Sequence, residues 1–409
     1  MDVGIESINA YVGQACLDVN TLFRARGLDS DRVNNLMMKK KSVGFICEDS
    51  ITNAVNAAKP LIDSLSQSER ERIELVITAT ESGVDFGKSL STYVHKYLSL
   101  SKNCRLFELK QACYGGTAAL QMAAHFMAAN PFGGRALVIA TDTACTAVRM
   151  TYAEPSQGTG AVAMLVSQDP RIMKLEIGAS GCYSYEVMDT CRPEPDMETG
   201  NADTSLLSYL DCLSGAYKAY KEKVQGVDLI NSFNFFSFHT PFAGMVKGAH
   251  RKLMRENCEL NPSEIEDDFL LRVAPSLIYC AQVGNIYSAT TYLALCSLID
   301  SASVQSPKRV GVFSYGSGCS SEFYSGILMP GSGQLLRQHR IDQALTSRYE
   351  LSMEEYEHLL NLNSQCKFGT KNMHVKISDF ESIYRKTFEG SGLLTLRSID
   401  NYYRHYDWS

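Results

Sequence analysis

Short hydrophobic runs alternate with segments of helical spacing in the first half of the chain. Residues 73–80 and 105–110 are typical of strands, and residues 88–98 between them have the spacing of a helix. Residues 136–141 and 161–167 are continuous apolar runs, which predict two buried strands. This half of the chain is therefore expected to alternate strands with helices.

The second half repeats this order of elements. Residues 233–238, 310–315 and 322–328 predict strands. Helices whose first turns are rich in small residues begin next to Cys113 in the first half and at Asn285 in the second. The repeat indicates a weak internal duplication. Buried strands that alternate with helices predict mostly parallel sheets covered by helices.

The duplication divides the chain into three parts. We assign residues 1–170 to an N-terminal half that carries Cys113, and residues 171–330 to a C-terminal half. Residues 189–205 are rich in Pro, Asp, Gly and Thr, and predict the connection between the halves. Residues 331–409 contain polar amphipathic segments and predict a helical extension packed on the core.

Composition narrows the class of protein. The 409 residues exceed one ordinary domain, and 45% hydrophobic with 21% charged residues is ordinary for a globular chain. A net charge of −6 argues against nucleic acid as the main partner, because phosphate binding requires a basic surface. The first residues lack the pattern of a signal peptide, and no apolar run reaches the roughly 18 residues of a membrane span.

The cysteines and histidines bear on compartment and metal binding. The 13 cysteines are scattered without a CxxC pair, which is typical of reduced thiols in the cytoplasm. The eight histidines include no HExxH motif and no pairing with cysteines at zinc-site intervals. We therefore expect a cytoplasmic protein without a metal site.

Cys113 is the first candidate for chemistry. It lies between a predicted strand and a helix start, and it is followed closely by Gly115 and Gly116. The N–H groups and dipole of a helix start stabilise a thiolate, and glycines let a substrate approach the backbone. The alternative is that Cys113 is one of several small buried side chains.

Two polar residues of the second half are further candidates. His239 follows the predicted strand 233–238, and the carboxyl end of a buried strand is where α/β folds place catalysis. Asn285 stands at the position equivalent to Cys113, so both would point towards an axis between the halves. The alternatives are a core histidine bonded to backbone and an ordinary helix N-cap.

Glu81 is a candidate general base. It directly follows the predicted strand 73–80 and stands beside Ser82 and Gly83. A carboxylate in such a position could be desolvated, which would raise its pKa. Asp85 has the same local features, so spacing alone does not choose between the two.

Two glycine-rich segments carry weaker signals. Residues 315–321 (YGSGCSS) resemble a phosphate-binding loop, but a lone GSG is not specific, and we favour a tight loop that lines the active site. Residues 154–161 (EPSQGTGA) predict a structural turn into a strand.

Together these segments resemble the 3-hydroxy-3-methylglutaryl-CoA synthase family. The motifs are ELKQACYGG around Cys113, TATESGVDFGKS around Glu81, FHTPFAGMVKGAH around His239, VGNIYS around Asn285 and FSYGSG around Ser317. They match in order and spacing over residues 1–330, and residues 392–408 resemble the C-terminus of these enzymes. The resemblance implies a thiolase-like α/β fold, with two duplicated βαβαβ halves in a layered α-β-α-β-α arrangement. We also expect a homodimer.

Within the family, three phrases look like the branch that acts in polyketide β-branching on acyl carrier proteins: YEVMDTCRP, SLLSYLDC and KQACYGGTA. CoA-using members typically carry lysines shortly after the catalytic histidine, whereas Gly244 and Gly248 stand there in this chain. The absence of these cations suggests that a carrier protein supplies the binding energy. Residues 143–152 also look shorter than in relatives, which changes the local wall of the tunnel.

A carrier protein is acidic, so its docking requires a basic patch. Lys247, Arg251 and Lys252 are close in sequence and could share one helical face. The alternative is that they are ordinary solvated charges on a helix.

The resemblance implies a covalent mechanism. Cys113 takes an acetyl group from a donor thioester, and Glu81 removes a proton from its methyl group. The resulting carbon attacks the β-ketone of a 3-oxoacyl thioester, which His239 and Asn285 orient and polarise. Water then releases a 3-hydroxy-3-carboxymethyl acyl product from Cys113.

Backbone N–H groups would stabilise the oxyanion, namely that of Cys113 and one in the loop of Gly316 and Ser317. The implied substrates are linked to phosphopantetheine, and no other cofactor is required. The implied partners are a donor acetyl-acyl carrier protein and an acceptor 3-oxoacyl carrier domain of a polyketide synthase.

Three alternatives remain open on the sequence. The first is an enzyme that uses acetyl-CoA and acetoacetyl-CoA. The second is a Claisen condensation of the ketoacyl-synthase type, which uses Cys, His and Asn but no carboxylate at the position of Glu81. The third is a non-catalytic protein that binds carrier proteins, against which the complete set of candidate residues argues.

Overall fold

The computed structural model describes residues 2–29, 31–144, 148–194 and 197–409. The strands, in chain order, are β1 Gly4–Tyr11, β2 Ala15–Asp18, β3 Lys40–Val43, β4 Ile73–Ala79, β5 Arg105–Leu109, β6 Arg135–Asp142, β7 Gly160–Ser167, β8 Met173–Ser184, β9 Thr190–Glu194, β10 Met197–Gly200, β11 Phe235–Phe238, β12 Lys308–Gly316, β13 Ser320–Leu328, β14 Tyr349–Glu350, β15 Met373–His374, β16 Leu394–Asp400 and β17 Tyr403–Trp408.

The helices are α1 Val19–Arg26, α2 Asp31–Leu36, α3 Ser50–Asp63, α4 Gln67–Arg70, α5 Ser91–Tyr97, α6 Gly115–Ala129, α7 Ala202–Lys223, α8 Ala243–Asn257, α9 Pro262–Arg272, α10 Ala274–Leu277, α11 Cys280–Val283, α12 Thr290–Ser301, α13 Ser332–Arg337, α14 Ile341–Ser347, α15 Met353–Asn363 and α16 Glu381–Thr387. The strands and helices predicted around Cys113 and Asn285 are confirmed to within a few residues.

A nine-stranded sheet forms the centre of the described structure, in the order β11-β12-β13-β8-β1-β7-β6-β4-β5. Strands β1 and β4–β7 come from the first half of the chain, and β8 and β11–β13 come from the second. The two sets meet where Gly4 of β1 pairs with Lys174 of β8.

The expectation of mostly parallel sheets is wrong. Strand β4 pairs in parallel with β5 and β6, and β11 with β12, but the other five neighbouring pairs of this sheet are antiparallel. A crossover helix follows β4 and β5, which permits parallel pairing. By contrast, the short turn at residues 317–319 returns β12 directly into β13, so that pair must be antiparallel.

Helices lie between the two sets of strands and on both outer faces. Ala119 of α6 and Leu293 of α12 belong to one buried cluster with strand residues of both halves, such as Val138 and Val312. Helix α3 packs on the outer face of the first set, and α7 and α8 pack on the outer side of the second. The layers therefore follow the expected α-β-α-β-α order.

Residues 331–409 differ from the expected helical extension because they also contain strands. Strand β14 pairs with β2, and β15, β16 and β17 form a separate antiparallel sheet. The turn between β16 and β17 places Asn401 and Tyr402 at positive φ, which is the two-residue geometry of a tight hairpin. Leu359 and Leu396 share a buried cluster with α3, so this region packs on the N-terminal half.

In the part of the chain that the structure describes, no helix combines the length and the apolar character that crossing a membrane would require.

Candidate active site

Cys113 and Glu81 lie in direct contact. Glu81 follows the end of β4, and Cys113 lies between β5 and α6, so the parallel pairing of β4 with β5 brings the two segments to one edge of the sheet. The Cys113 Sγ donates a hydrogen bond to Glu81 Oε1 at 3.0 Å. The preceding residue, Ala112, has a φ of +45°, a strained conformation for a residue with a side chain.

Asp142 holds the loop that carries Glu81. It ends β6 and is fully buried. Its Oδ1 accepts hydrogen bonds from the backbone N–H groups of Glu81 and Ser82 at 2.7 and 3.0 Å. Its Oδ2 accepts the hydroxyl of Ser288 at 2.6 Å. The Asp142 carboxylate thus connects the Glu81 loop to the segment immediately before α12.

Burial raises the pKa of both Cys113 and Glu81. Burial raises the pKa of Glu81 to about 7, although the Arg192 guanidinium acts to lower it. Burial also raises the pKa of the Cys113 thiol well above its usual value, and the Glu81 charge adds to the effect. The lowered thiol pKa expected at a helix start is therefore outweighed, and the thiol proton stays on sulfur, directed at the carboxylate.

Arg192 reaches Glu81 from the segment that was predicted to connect the halves. Residues 190–194 and 197–200 form an antiparallel hairpin, β9 and β10, instead of a plain connection. The Arg192 Nη1 donates to the backbone carbonyl of Glu81 at 3.2 Å, and its Nη2 donates to Glu198 at 3.0 Å. Its guanidinium lies 4.8 Å from the centre of the Tyr287 ring. A cation is thereby held close to the candidate base.

Asn285 lies beside this network but its side-chain oxygen is engaged locally. Oδ1 accepts the backbone N–H of Tyr287 at 2.9 Å and the hydroxyl of Thr290 at 2.8 Å. A hydrogen-bonded path leads from Tyr287 through Gln157 to Glu198, the partner of Arg192. The capping interpretation therefore accounts for the Oδ1 of Asn285. Ser288, three residues later, is the residue of this segment that bonds to Asp142.

His239 follows β11 and is 2% exposed. Its backbone carbonyl accepts the Tyr209 hydroxyl at 2.7 Å, which fixes the main chain at this point. The ring Nδ1 is buried and has no partner among the described residues. Burial lowers the pKa of His239 to about 3, so the imidazole is neutral at physiological pH.

The glycine loop packs directly against the Cys113 segment. A Cβ on Gly316 would lie 2.6 Å from both the Gln111 oxygen and the Tyr114 nitrogen, so only glycine permits this approach. Ser317 follows in the turn between β12 and β13. Buried Asp189 holds the loop by accepting the Tyr315 hydroxyl at 2.6 Å and the Gly318 N–H at 2.9 Å. The loop thus borders the site, as expected.

The structure brings together Glu81 and Cys113 by direct contact and the loop of Gly316 and Ser317 by backbone packing. His239 and Asn285 make no hydrogen bond to Cys113 within the described residues. Asp85 does not join the site: its Oδ1 caps the exposed turn at Gly87 and Lys88, both at 2.7 Å.

The segment 154–161 has the structural role that was predicted for it. Glu154 is 1% exposed and forms an ion pair with Arg26 at 2.7 Å. Its backbone carbonyl accepts Lys41 Nζ, and its carboxylate accepts the Tyr356 hydroxyl at 3.0 Å. The segment therefore ties α1, β3 and α15 together.

The predicted basic patch on α8 is largely neutralised. Lys247 pairs with Glu266 at 2.6 Å, and Lys252 pairs with Glu256 one turn along the helix. Arg251 is exposed and forms no ion pair with the residues that the structure describes. Of the three cations, Arg251 is the one whose charge is available to a partner.

The two glycines of α8 differ in their surroundings. A Cβ on Gly244 would collide with the backbone carbonyl of Asn35 in α2, so a lysine cannot stand there without displacing that helix. Gly248 is exposed, with no atom within 4 Å of an added Cβ in the described structure. The space for a lysine exists at Gly248 and is missing at Gly244.

Three residues that hold the loops of the candidate site were missed on the sequence. Asp142 is a carboxylate at the end of a predicted buried strand, which is the same signal that identified Glu81. Arg192 and Asp189 lie in the segment assigned to a connection, and no local pattern marks them. The short stretch at residues 143–152 includes residues 145–147, which lie outside the described residues.

Both halves of the chain match one family of known proteins. Residues 1–171 match the profile described as hydroxymethylglutaryl-coenzyme A synthase N terminal, and residues 173–270 and 265–408 match the C-terminal profile of the same family. The chain is 49% identical over 418 residues to the polyketide biosynthesis 3-hydroxy-3-methylglutaryl-ACP synthase of Bacillus subtilis (strain 168), covering 100% of this chain and 99% of that protein. It is 32% identical over 365 residues to the hydroxymethylglutaryl-CoA synthase of Enterococcus faecalis, covering 87% and 91%.

Solved structures give the same result. The curacin biosynthetic pathway HMG synthase in complex with holo donor-ACP has a TM-score of 0.97 and 52% identity, with 100% of each chain covered. The complex of the same enzyme with acetyl donor-ACP gives the same values. The predicted thiolase-like α/β fold is therefore confirmed.

Proposed function

Because this chain belongs to the hydroxymethylglutaryl-CoA synthase family, we propose that it adds a Cys113-bound acetyl group to the β-ketone of a 3-oxoacyl thioester on an acyl carrier protein. The reaction installs a β-branch during polyketide biosynthesis. The observation that carries the proposal is the 3.0 Å contact between the Cys113 thiol and the buried Glu81 carboxylate. The carrier-linked relatives at 49% and 52% identity support the substrate class.

Acyl loading comes first. The Cys113 sulfur attacks the carbonyl of acetyl-carrier protein, the carrier thiol leaves, and the acetyl group becomes a thioester of Cys113. The thiol proton passes to a base as the carbon–sulfur bond forms, and it ends on the departing carrier thiol. The raised pKa of Cys113 makes this proton transfer necessary, since little free thiolate is present.

Glu81 is the proposed base of the condensation. Its carboxylate takes a proton from the methyl group of acetyl-Cys113, and the resulting carbon bonds to the β-carbon of the acceptor. The ketone oxygen takes up a proton and becomes a tertiary hydroxyl. Water then cleaves the Cys113 thioester, which gives the free carboxylate of the product and restores the thiol. A pKa of about 7 suits a base that must both gain and lose a proton near neutral pH.

His239 and Asn285 are proposed to position the acceptor. The imidazole of His239 is neutral, because burial lowers its pKa to about 3, so it polarises the ketone through a hydrogen bond and not through a charge. Its unpartnered Nδ1 supports this role, since a buried ring nitrogen without a partner is costly unless a ligand completes it. Backbone N–H groups of Cys113 and of the loop of Gly316 and Ser317 are proposed to hold the thioester oxygen.

The preference for a carrier protein over CoA rests on α8. Gly244 cannot be replaced by a lysine because α2 occupies the space, and Gly248 adds no charge at its own exposed position. Arg251 is the proposed docking cation, with Lys247 as a secondary one because Glu266 already neutralises it. A homodimeric enzyme of the cytoplasm completes the proposal, and analytical ultracentrifugation would test the dimer.

Acyl loading and product analysis test the proposal together. The protein is incubated with acetyl-carrier protein or with acetyl-CoA, and intact-mass analysis follows the acetyl adduct on Cys113. A 3-oxoacyl acceptor is then added, and the product is identified. A 3-hydroxy-3-carboxymethyl product supports the proposal, whereas a chain-elongated 3-oxoacyl product would indicate a Claisen enzyme. Absence of the Cys113 adduct would favour a binding protein, and faster loading from acetyl-CoA would favour a CoA-dependent synthase.

A further inference from the structure

Glu322 is a buried carboxylate at the contact between the two halves of the chain. It lies on β13 and is 3% exposed. Its Oε2 accepts the Tyr114 hydroxyl at 2.8 Å, and its Oε1 accepts the Gln121 side-chain amide at 3.0 Å. The Ser180 hydroxyl on β8 is a third donor to it. The mechanism described above leaves this carboxylate unused.

Two of these donors belong to the segment that carries Cys113. Tyr114 directly follows Cys113 and caps the start of α6, and Gln121 lies within α6. Their separation in sequence corresponds to about two turns of an α-helix, so both side chains can project from one face. A carboxylate that binds a helix at two such points restricts both its rotation and its movement along its own axis.

The hairpin of β12 and β13 also holds the main chain of Tyr114. Gly316, at the end of β12, packs so closely that an added Cβ would lie 2.6 Å from the Tyr114 nitrogen. Glu322 lies on the other strand of this hairpin. The main chain and the hydroxyl of Tyr114 are therefore both fixed by one hairpin of the second half. On the other side of Cys113, Ala112 has a φ of +45°, a conformation that the surrounding structure must maintain.

Stability alone does not account for a carboxylate at position 322. The three donors that reach it are neutral, and burial raises the pKa of Glu322. A buried charge with neutral donors is less favourable than an apolar side chain of similar size. A carboxylate has, however, two acceptor oxygens, so it can bind Tyr114 and Gln121 at the same time.

The proposed oxyanion site depends on the same contacts. It combines the N–H of Cys113 with an N–H of the loop of Gly316 and Ser317, and these donors must stay at a fixed separation around the thioester oxygen. The bonds of Glu322 attach the Cys113 segment to the hairpin that carries this loop. Loss of these bonds should therefore disturb the separation of the two donors.

We propose that Glu322 is a positioning residue for Cys113, which fixes Tyr114 and α6 against the hairpin of the second half so that the sulfur and the oxyanion donors meet the incoming thioester in register. The inference rests on the proposed function and adds a residue that sets the rate of acyl loading through Tyr114.

Acetyl loading by rapid quench tests the proposal. The protein is mixed with increasing concentrations of acetyl-carrier protein, and intact-mass analysis of the Cys113 adduct gives the maximal loading rate and the half-saturating concentration. Glu322→Leu removes both acceptor oxygens, and Tyr114→Phe removes one donor and leaves the carboxylate in place.

Both substitutions should lower the maximal rate by about ten- to a hundredfold, because misplacing a reacting group by about 1 Å can cost that much. The half-saturating concentration should stay the same, since docking of the carrier protein is unaffected. Glu322→Gln keeps an acceptor oxygen and should recover most of the rate. The double variant of Tyr114→Phe and Glu322→Leu should lose no more than Glu322→Leu alone, because both changes break the same link. If Glu322→Leu does not fold, Tyr114→Phe and Glu322→Gln still decide the question.

The matched control is Tyr220→Phe. The buried Tyr220 hydroxyl lies 2.7 Å from the Ser325 hydroxyl on the same strand β13, away from the Cys113 segment. The control should load at the rate of the unaltered protein.

Four results would overturn the positioning role and leave the proposed function intact: an unchanged maximal rate in Tyr114→Phe, an equal loss in the control, losses that multiply in the double variant, or a change confined to the half-saturating concentration. Absence of a Cys113 adduct in the unaltered protein would overturn the proposed function, and this inference with it.

Discussion

The pH dependence of condensation tests the assignment of Glu81 as the base. Burial raises the pKa of Glu81 to about 7, against the lowering effect of Arg192. A base acts when ionised, so the rate should be highest above this pKa and fall as the pH drops through it. Between pH 6 and pH 8 the ionised fraction rises from about one tenth to about nine tenths, which predicts an increase of about tenfold. The thiol hydrogen bond of Cys113 also lowers this pKa, so acetylation should move the midpoint upwards.

Replacing Arg192 with Gln sharpens this test. The Arg192 Nη1 lies 3.2 Å from the Glu81 carbonyl oxygen, and loss of its charge should raise the pKa of Glu81 further. The midpoint of the pH profile should therefore move to higher pH, while the rate at the alkaline plateau recovers. Arg192→Lys keeps the charge and should stay closer to the unaltered profile. A purely structural defect would lower the rate equally at every pH.

The assay is a single turnover. Enzyme preloaded with acetyl on Cys113 is mixed rapidly with an acetoacetyl thioester and quenched, and the product is measured by mass spectrometry between pH 6 and about pH 9. Preloading removes the ionisation of Cys113 from the measurement. A flat profile would refute Glu81 as a base that titrates near neutrality, and a midpoint that moves to lower pH in Arg192→Gln would refute the electrostatic role of Arg192.

Five further substitutions have defined outcomes. Cys113→Ala should abolish both acyl loading and product formation, as followed by intact mass and product analysis, because no other group would hold the acetyl. Glu81→Gln should still load acetyl but lose about 10²- to 10⁴-fold in the condensation rate, and an unchanged rate would move the role elsewhere. Gly248→Ala should raise the free energy of unfolding in urea by roughly 0.5–1 kcal/mol, because the position is exposed inside a helix. Gly248→Lys should then lower the KM for acetyl-CoA relative to Gly248→Ala. Arg251→Glu should slow loading from acetyl-carrier protein and steepen its decline with salt while changing loading from acetyl-CoA little, and equal effects on both donors would exclude Arg251 from docking.

The local pattern of the sequence was sufficient for the central strands and for the position of Cys113. The apolar run at residues 136–141 is short and contains β-branched Val, Ile and Thr, which favours a buried strand over a buried helix. The direction of pairing could not be read in the same way, because an apolar run is equally suited to parallel and antiparallel neighbours. The direction of pairing depends on the segment that connects two strands. The three residues 317–319 are too few for a crossover connection, so β12 and β13 must pair antiparallel.

In the candidate site too, the local sequence was sufficient for some features and only the fold decides the others. Glu81 and Asp85 have similar neighbours in sequence, and only the path of the chain after β4 turns one towards Cys113 and the other towards Gly87. Arg192 was assigned to a connection because Pro, Asp and Gly surround it, yet that composition equally suits a hairpin that folds back over a site. The pairing of Lys247 with Glu266 depends on how α8 packs against α9, which spacing within α8 cannot reveal.

The precision of the site derives from backbone contacts around Cys113 more than from side-chain packing. Gly316 brings the turn of the second half against the residues on either side of Cys113, where a Cβ would lie 2.6 Å from backbone atoms. Gly116, in the first turn of the helix that follows, lies against the carbonyl of Ser288, whose hydroxyl binds Asp142. Backbone atoms have no rotamers to adjust, so these contacts set the position of Cys113 relative to Glu81 more tightly than side chains would. Both halves of the chain thus contribute contacts that place the Cys113 sulfur 3.0 Å from a Glu81 carboxylate oxygen, although the proposed nucleophile and the proposed base come from the same half.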